Sequence, residues 1–175
     1  MIAHLKDEQN PAYDLLFFCK YCIDMKNLID PERIDKIICF LISLNIKSKR
    51  LDEIIHSRNS LILQIFDESL THSSENKTIN YEKLEFFGDA VLRLAATDFI
   101  DQNFKNMSVG DRSELRSQIV SDEWLSKLGG EIDIDKVIKK GPKALGDKYS
   151  NNTIVAEATE AFIGALYKCL IQPKR

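Results

Sequence analysis

Residues 80–94 read NYEKLEFFGDAVLRL, and three carboxylates, Glu82, Glu85 and Asp89, stand there inside an otherwise apolar stretch. On a helix turning about 100° per residue they fall within an arc of roughly 60°. Like charges stacked this way repel by about 0.2–0.5 kcal/mol per exposed pair, and by more where burial keeps water away. Lys83 and Arg93 offer a plain alternative, the neutralisation of a solvated face. Yet Leu84, Phe86, Phe87, Ala90, Val91 and Leu92 leave little room for a purely wet stripe. The pattern asks for a compensating cation.

A second acidic pair repeats the theme. Residues 153–167, TIVAEATEAFIGALY, carry Glu157 and Glu160 three apart on one helical face, among Ala156, Ala158, Ala161, Gly164 and Ala165. Small residues let two helix backbones approach closely, and Gly88 beside Asp89 allows the same on the first helix. Antiparallel contact of the two helices would gather four oxygen-bearing side chains around one point. A hard cation such as Mg2+, with Mn2+ as a substitute, takes oxygen ligands and needs only a few carboxylates. Paired ions of this kind support metal-assisted hydrolysis of a phosphodiester. A di-iron bundle would instead want Glu-x-x-His pairs, and the partners here are Glu-x-x-Glu. Imidazole chemistry has only His4, His56 and His72 to draw on, and His72 in LTHSS suits a loop-anchoring role.

The rest of the chain sets bounds. At 175 residues it suits one domain with a small appendage. No apolar run is long enough to span a membrane, and MIAHLKDEQN lacks a signal-peptide core, so the cytoplasm is the expected location. Of four cysteines, Cys19 and Cys22 form a C-x-x-C without a second half-site, in a greasy segment that reads as reduced core. The net charge of −3 argues against passive, charge-driven nucleic-acid binding. It leaves room for an RNA enzyme whose acids subtract from the total while a local basic rim persists.

With 7 Gly, 4 Pro and almost no alternating segments, the chain is expected to be all-α. One helix starts at Pro11, carrying Tyr13, Leu16 and Phe17. A second starts after Asp30-Pro31, with Ile34, Ile37, Ile38, Leu41 and Leu44 on one face. The run KSKR at 47–50 reads as a solvated boundary. Beyond it the pattern predicts helices over 61–70, 81–104, 111–128, 135–139 and 153–170. A polar loop at 72–80, a Gly129-Gly130 turn and a loop at 141–152 separate them. Residues 1–59 form an N-terminal helical extension and 60–175 the main unit.

These blocks resemble the ribonuclease III family. EKLEFFGDAVL is similar to the family signature N-E-x-L-E-F-L-G-D. ESLTHSS, SELRSQIVSDEWLSKLGG and VAEATEAFIGALY resemble three further blocks in the expected order, covering about 61–167. The resemblance implies an all-helical homodimer whose two sites cut opposite strands of double-stranded RNA, leaving 5′-phosphates, in processing such as that of ribosomal RNA. Residue by residue, it implies metal ligands at Glu85, Asp89, Glu157 and Glu160, with Asp89 and Glu160 foremost in catalysis. It gives Glu82 a supporting role and sets Phe86 against the partner subunit. Arg112, Arg116, Lys139, Lys140, Lys143 and Lys148 are candidate phosphate contacts.

There are departures. Glu157 stands where the family usually has Asp, Tyr81 replaces the usual Asn, and Val109 occupies a position that some members fill with an acid. Only eight residues follow Tyr167, where bacterial members continue into a double-stranded-RNA-binding domain, so either that module is absent or this chain is a fragment. A second reading is therefore a catalytically inactive, RNA-binding or ribosome-associated scaffold. A third is a helical protein–protein module led by residues 1–60. The retention of all four acids favours the nuclease.

Overall fold

The computed structural model describes residues 29–58, 60–145 and 151–171. The expected helix at Pro11 and the Cys19/Cys22 pair lie outside them, as does Lys148. Among the described residues every regular element is helical, and the sole strand-like pairing is an isolated parallel bridge between Thr71 and Lys139.

The first helix, α1 (Pro31–Ser43), begins as the sequence signals: the Asp30 carboxylate accepts from the Arg33 N–H at 3.2 Å, and Pro31 takes a position where no amide donor is needed. KSKR is a helix start rather than a boundary. Ser48 accepts from the Leu51 N–H at 3.3 Å and opens α2 (Lys49–Ser57), which buries Leu51 and Ile54. Next come α3 (Ser60–Ser69), the 22-residue α4 (Glu82–Asn103), α5 (Val109–Ile119) and α6 (Asp122–Glu131). A 3-10 turn (Ile134–Lys136), a short α7 (Pro142–Leu145), α8 (Asn151–Leu166) and a π turn (Tyr167–Ile171) complete the order.

Three further expectations are corrected. The helix predicted over 111–128 is two helices. Ser121 accepts from the Trp124 N–H at 3.3 Å and donates to the Gln118 carbonyl at 2.8 Å, so its hydroxyl closes one helix and caps the next. Gly129-Gly130 is no turn. Both lie in α6, where Gly129 lets the helix approach α8: a Cβ there would meet Thr159 Oγ1 at 2.5 Å and Val155 Cγ1 at 2.6 Å. The chain reverses later, at Asp133, which adopts a left-handed conformation with φ of 59°. The 141–152 loop, finally, contains α7 and the first residues of α8.

α8 is the central element. It packs most extensively on α4 and α6 and also on α3, and it buries nine residues from Ile154 to Ala165. Its Phe162 ring stacks obliquely on Phe40 of α1 (5.2 Å between centroids) and Phe66 of α3 (5.8 Å), so residues 29–58 share a core with α3, α8 and the start of α4. A buried cation pins the same junction. Arg33 of α1 pairs with Asp67 at 2.7 Å and donates to the carbonyls of Val137 (2.6 Å) and Leu70 (3.3 Å). Those partners satisfy a charge that would otherwise be costly to bury. They also tie α1 to the two segments that meet at the Thr71–Lys139 bridge. Of the two cysteines described, Cys39 is exposed and Cys169 is buried, its thiol pushed up to about 11 by desolvation; both are free.

Candidate metal centre

The acids come together because α4 and α8 cross at glycines. A Cβ on Gly88 would lie 1.9 Å from the Glu160 carbonyl oxygen, and one on Gly164 would lie 2.6 Å from that of Leu84. Only backbones without side chains at the crossing can sit this close. The small residues flagged in the sequence are therefore the reason that Glu160 faces Asp89 and Glu85.

The electrostatics show the convergence. Glu160 is half-buried, and its carboxyl is pushed up to about 7, first by desolvation and then by the negative charges of Asp89, Glu85 and Asp122, with Arg93 opposing. Glu85 is raised for the same reasons: burial first, then Glu157, Glu82, Asp122 and Asp89. Acids from two helices thus share one field. Asp122, in the first turn of α6, belongs to that field and was missed in the sequence, where an acid beside the Ser121 cap reads simply as a helix-dipole partner.

Two of the four expected ligands are engaged by protein groups. The Asp89 carboxylate accepts both of its bonds from Arg93 Nε, at 2.8 and 2.9 Å, an i,i+4 pair on the exposed side of α4. Glu157 Oε2 accepts from the Tyr81 hydroxyl at 2.5 Å. Among the described residues no three acidic, imidazole or thiol groups form a ready-made metal cage. What the helix crossing supplies is a set of oxygen donors carrying more negative charge than the protein neutralises, the donor chemistry that suits a hard divalent cation. Glu82, exposed at the start of α4, is held near the set by its backbone N–H, which donates to Asn80 Oδ1 at 3.0 Å.

His72 is the loop anchor its sequence context suggested. Its Nδ1 accepts from the Ser74 N–H at 3.0 Å and contacts Ser74 Oγ at 2.6 Å, while its backbone N–H reaches the Lys139 carbonyl.

The basic candidates divide. Arg112 is consumed internally: it pairs with Asp101 at 2.5 Å and donates to the carbonyls of Met107, Phe104 and Lys105, stapling the turn between α4 and α5. Lys140 is buried against Asp135 and Asn151. In this structure both cations are engaged by protein groups rather than displayed at the surface. Arg116, which donates to Thr97 Oγ1 at 3.2 Å, half-exposed Lys139 and exposed Lys143 keep cationic groups at the surface.

A pH dependence follows. Unfolded, Glu160 titrates near its ordinary value of 4.5; folded, near 7. Between those values the folded state holds the extra proton, so raising pH favours unfolding, and above about 7 the penalty is constant. Metal-free protein should lose about 1 kcal/mol of stability from this group across that window, after allowance for solvent screening. Thermal melts at pH 5 and 7.5 should show a smaller drop for Glu160→Gln than for wild type; equal drops would contradict the coupling.

Residues 63–169 match the family model described as Ribonuclease-III-like. Ribonuclease 3 of Prochlorococcus marinus is 48% identical over 147 residues, a match covering 84% of this chain and 59% of that protein; the chain thus spans well under two thirds of this relative's length. Two structures of the nuclease domain of ribonuclease III from Campylobacter jejuni are similar in fold. One has a TM-score of 0.58 at 25% identity, covering 80% of this chain and 84% of that one. The other, described for flexibility in the region involved in dimer formation, has a TM-score of 0.59 at 30% identity, covering 61% and 76%. The chain belongs to the ribonuclease-III-like family.

Proposed function

We propose that this chain carries the nuclease unit of a divalent-metal-dependent endoribonuclease that cuts double-stranded RNA and leaves 5′-phosphate ends. The observation that carries the reading is the α4–α8 crossing that sets half-buried Glu160 against Asp89 and Glu85; its carboxyl is pushed up to about 7, first by desolvation and then by those acids and Asp122. Such repulsion, only partly opposed by Arg93, is costly to keep in a fold unless a cation offsets it.

Glu85, Asp89, Glu157 and Glu160 would hold the ion. When bound, Mg2+ or Mn2+ supplies Lewis-acid activation of water and stabilises charge developing at the scissile phosphate. The protein's own groups set the stage. Arg93 orients the Asp89 carboxylate, and burial by the α4–α8 crossing thins the water around Glu85 and Glu160, which strengthens their grip on a cation. Attack of water on phosphorus, with departure of the 3′ oxygen, leaves the 5′-phosphate product. Arg116, Lys139 and Lys143 are the surface cations proposed for duplex phosphates, read by shape rather than sequence. Residues 1–59 are proposed as an extension of the nuclease unit at 60–175.

Dimerisation is the second part of the proposal. Phe86 on α4 is 84% exposed, a large apolar side chain beside the acidic set, and Leu94 on the same helix is 67% exposed. Covering them against a second copy removes that surface from water and sets two acidic sites in one particle. Phe86→Glu should shift the protein to monomer in sedimentation velocity while its helical circular dichroism is unchanged; a persistent dimer would remove Phe86 from the interface.

The direct test is incubation of a long RNA duplex with and without Mg2+. Metal-dependent fragments bearing 5′-phosphates support the nuclease. Binding without cleavage would favour the scaffold reading, for which the engaged Asp89 and Glu157 carboxylates are the supporting observation.

A further inference from the structure

We propose that Tyr81 is a positioning residue for this site: its phenol, fixed in the core, holds the Glu157 carboxylate beside Glu85 in readiness for a divalent cation. The inference rests on the metal-dependent reading above.

Tyr81 is 1% exposed and belongs to the main core cluster. It is anchored on several sides. Its backbone N–H donates to the Thr71 carbonyl at 3.0 Å, and Thr71 is itself bridged to Lys139. The His72 ring packs edge-on at 5.5 Å. With ring and backbone so restrained, the hydroxyl is a donor fixed in space, and a buried phenol needs an acceptor. The acceptor is Glu157 Oε2, 76 residues away in sequence, at 2.5 Å. The bond clamps Oε2 and leaves Oε1 of the same carboxylate outside that contact. Glu157 and Glu85 repel one another across the crossing. A charge-assisted bond from Tyr81 offsets that repulsion and keeps Glu157 from swinging toward solvent.

Side-chain length makes the contact specific. An aspartate at 157 would draw the carboxylate back by about one C–C bond, ~1.5 Å, and stretch the contact to ~4 Å, beyond hydrogen bonding. The additional methylene of Glu157 and the reach of Tyr81 are therefore parts of one arrangement.

The test is a double-mutant cycle on metal-free protein read by Mn2+ binding, with free Mn2+ followed by electron paramagnetic resonance. Tyr81→Phe keeps the ring and removes the donor. It should weaken Mn2+ binding about tenfold, the usual cost of losing a group that orients a ligand. Glu157→Asp breaks the same bond from the other side, so adding Tyr81→Phe to it should cost nothing further. Circular dichroism of each variant checks the fold, and if Tyr81→Phe fails to fold, a Mn2+ affinity of Glu157→Asp equal to wild type would overturn the clamp. A merely structural role would lower the melting temperature of Tyr81→Phe and leave its Mn2+ affinity at the wild-type value, which overturns the proposal. So would an equal loss from Tyr81→Phe in both backgrounds. Wild type that binds no Mn2+ would overturn this proposal together with the metal-dependent reading, whereas wild-type binding unchanged in Tyr81→Phe overturns the clamp alone.

Discussion

Glu160→Gln should lower cleavage of an RNA duplex by at least about a thousandfold, because losing a ligand that stabilises charge at the reacting phosphate costs several kcal/mol of transition-state stabilisation. The substitution is nearly isosteric. It removes a carboxyl that the protein already holds part-neutral near pH 7 and that its neighbours repel, so the metal-free fold should be as stable as wild type or slightly more so. Duplex affinity, carried by surface cations, should be retained. Cleavage measured under single-turnover conditions, beside binding of the same duplex, separates these effects. A variant that cuts at the wild-type rate would take Glu160 out of the chemistry.

The second large effect is on stability. Gly88→Ala adds a methyl group whose carbon would sit 1.9 Å from the Glu160 carbonyl oxygen, a backbone atom with no rotamer to yield. Helix propensity favours alanine over glycine by about 1 kcal/mol. The clash outweighs it: forcing α4 and α8 apart costs about 3–5 kcal/mol, since the crossing also organises the core around Leu84 and Ala161. For a chain of this size that lowers the melting temperature by roughly 10 °C. Gly110→Ala is the control, because a Cβ there meets nothing closer than Ser108 Oγ at 3.8 Å. Equal stability of the two variants would contradict the close crossing. Should Gly88→Ala fold, the displaced helices should also weaken Mn2+ binding.

The sequence carried much of this arrangement because its signals are local. The acids at 82, 85 and 89, and those at 157 and 160, are spaced to share helix faces, and Gly88 and Gly164 announce a near approach. Asp30-Pro31 marks a helix start that depends on neighbouring residues alone. What the sequence concealed is set by distant contacts. Gly129 looks like a turn until Val155 and Thr159 are placed against it. Ser121 is as acceptable inside a helix as at its start, and its role is fixed only when the chain bends around buried Val120 and Leu125. Arg112 and Lys140 have the composition of surface charges, but Asp101, Asp135 and Asn151 claim them in the fold. The Tyr81–Glu157 bond joins residues on different helical segments, and no periodicity reports it.

The claim beneath all of these expectations is that α4 and α8 present their acids to the same cation. Mn2+ titration of wild type, Glu85→Gln and Glu160→Gln tests it without any RNA. If one shared site exists, each substitution, though on a different helix, should weaken the same binding event at least about tenfold, and the pair together should cost less than the sum of the two. Mn2+ affinity untouched by either change, or losses that simply add as for separate sites, would contradict it.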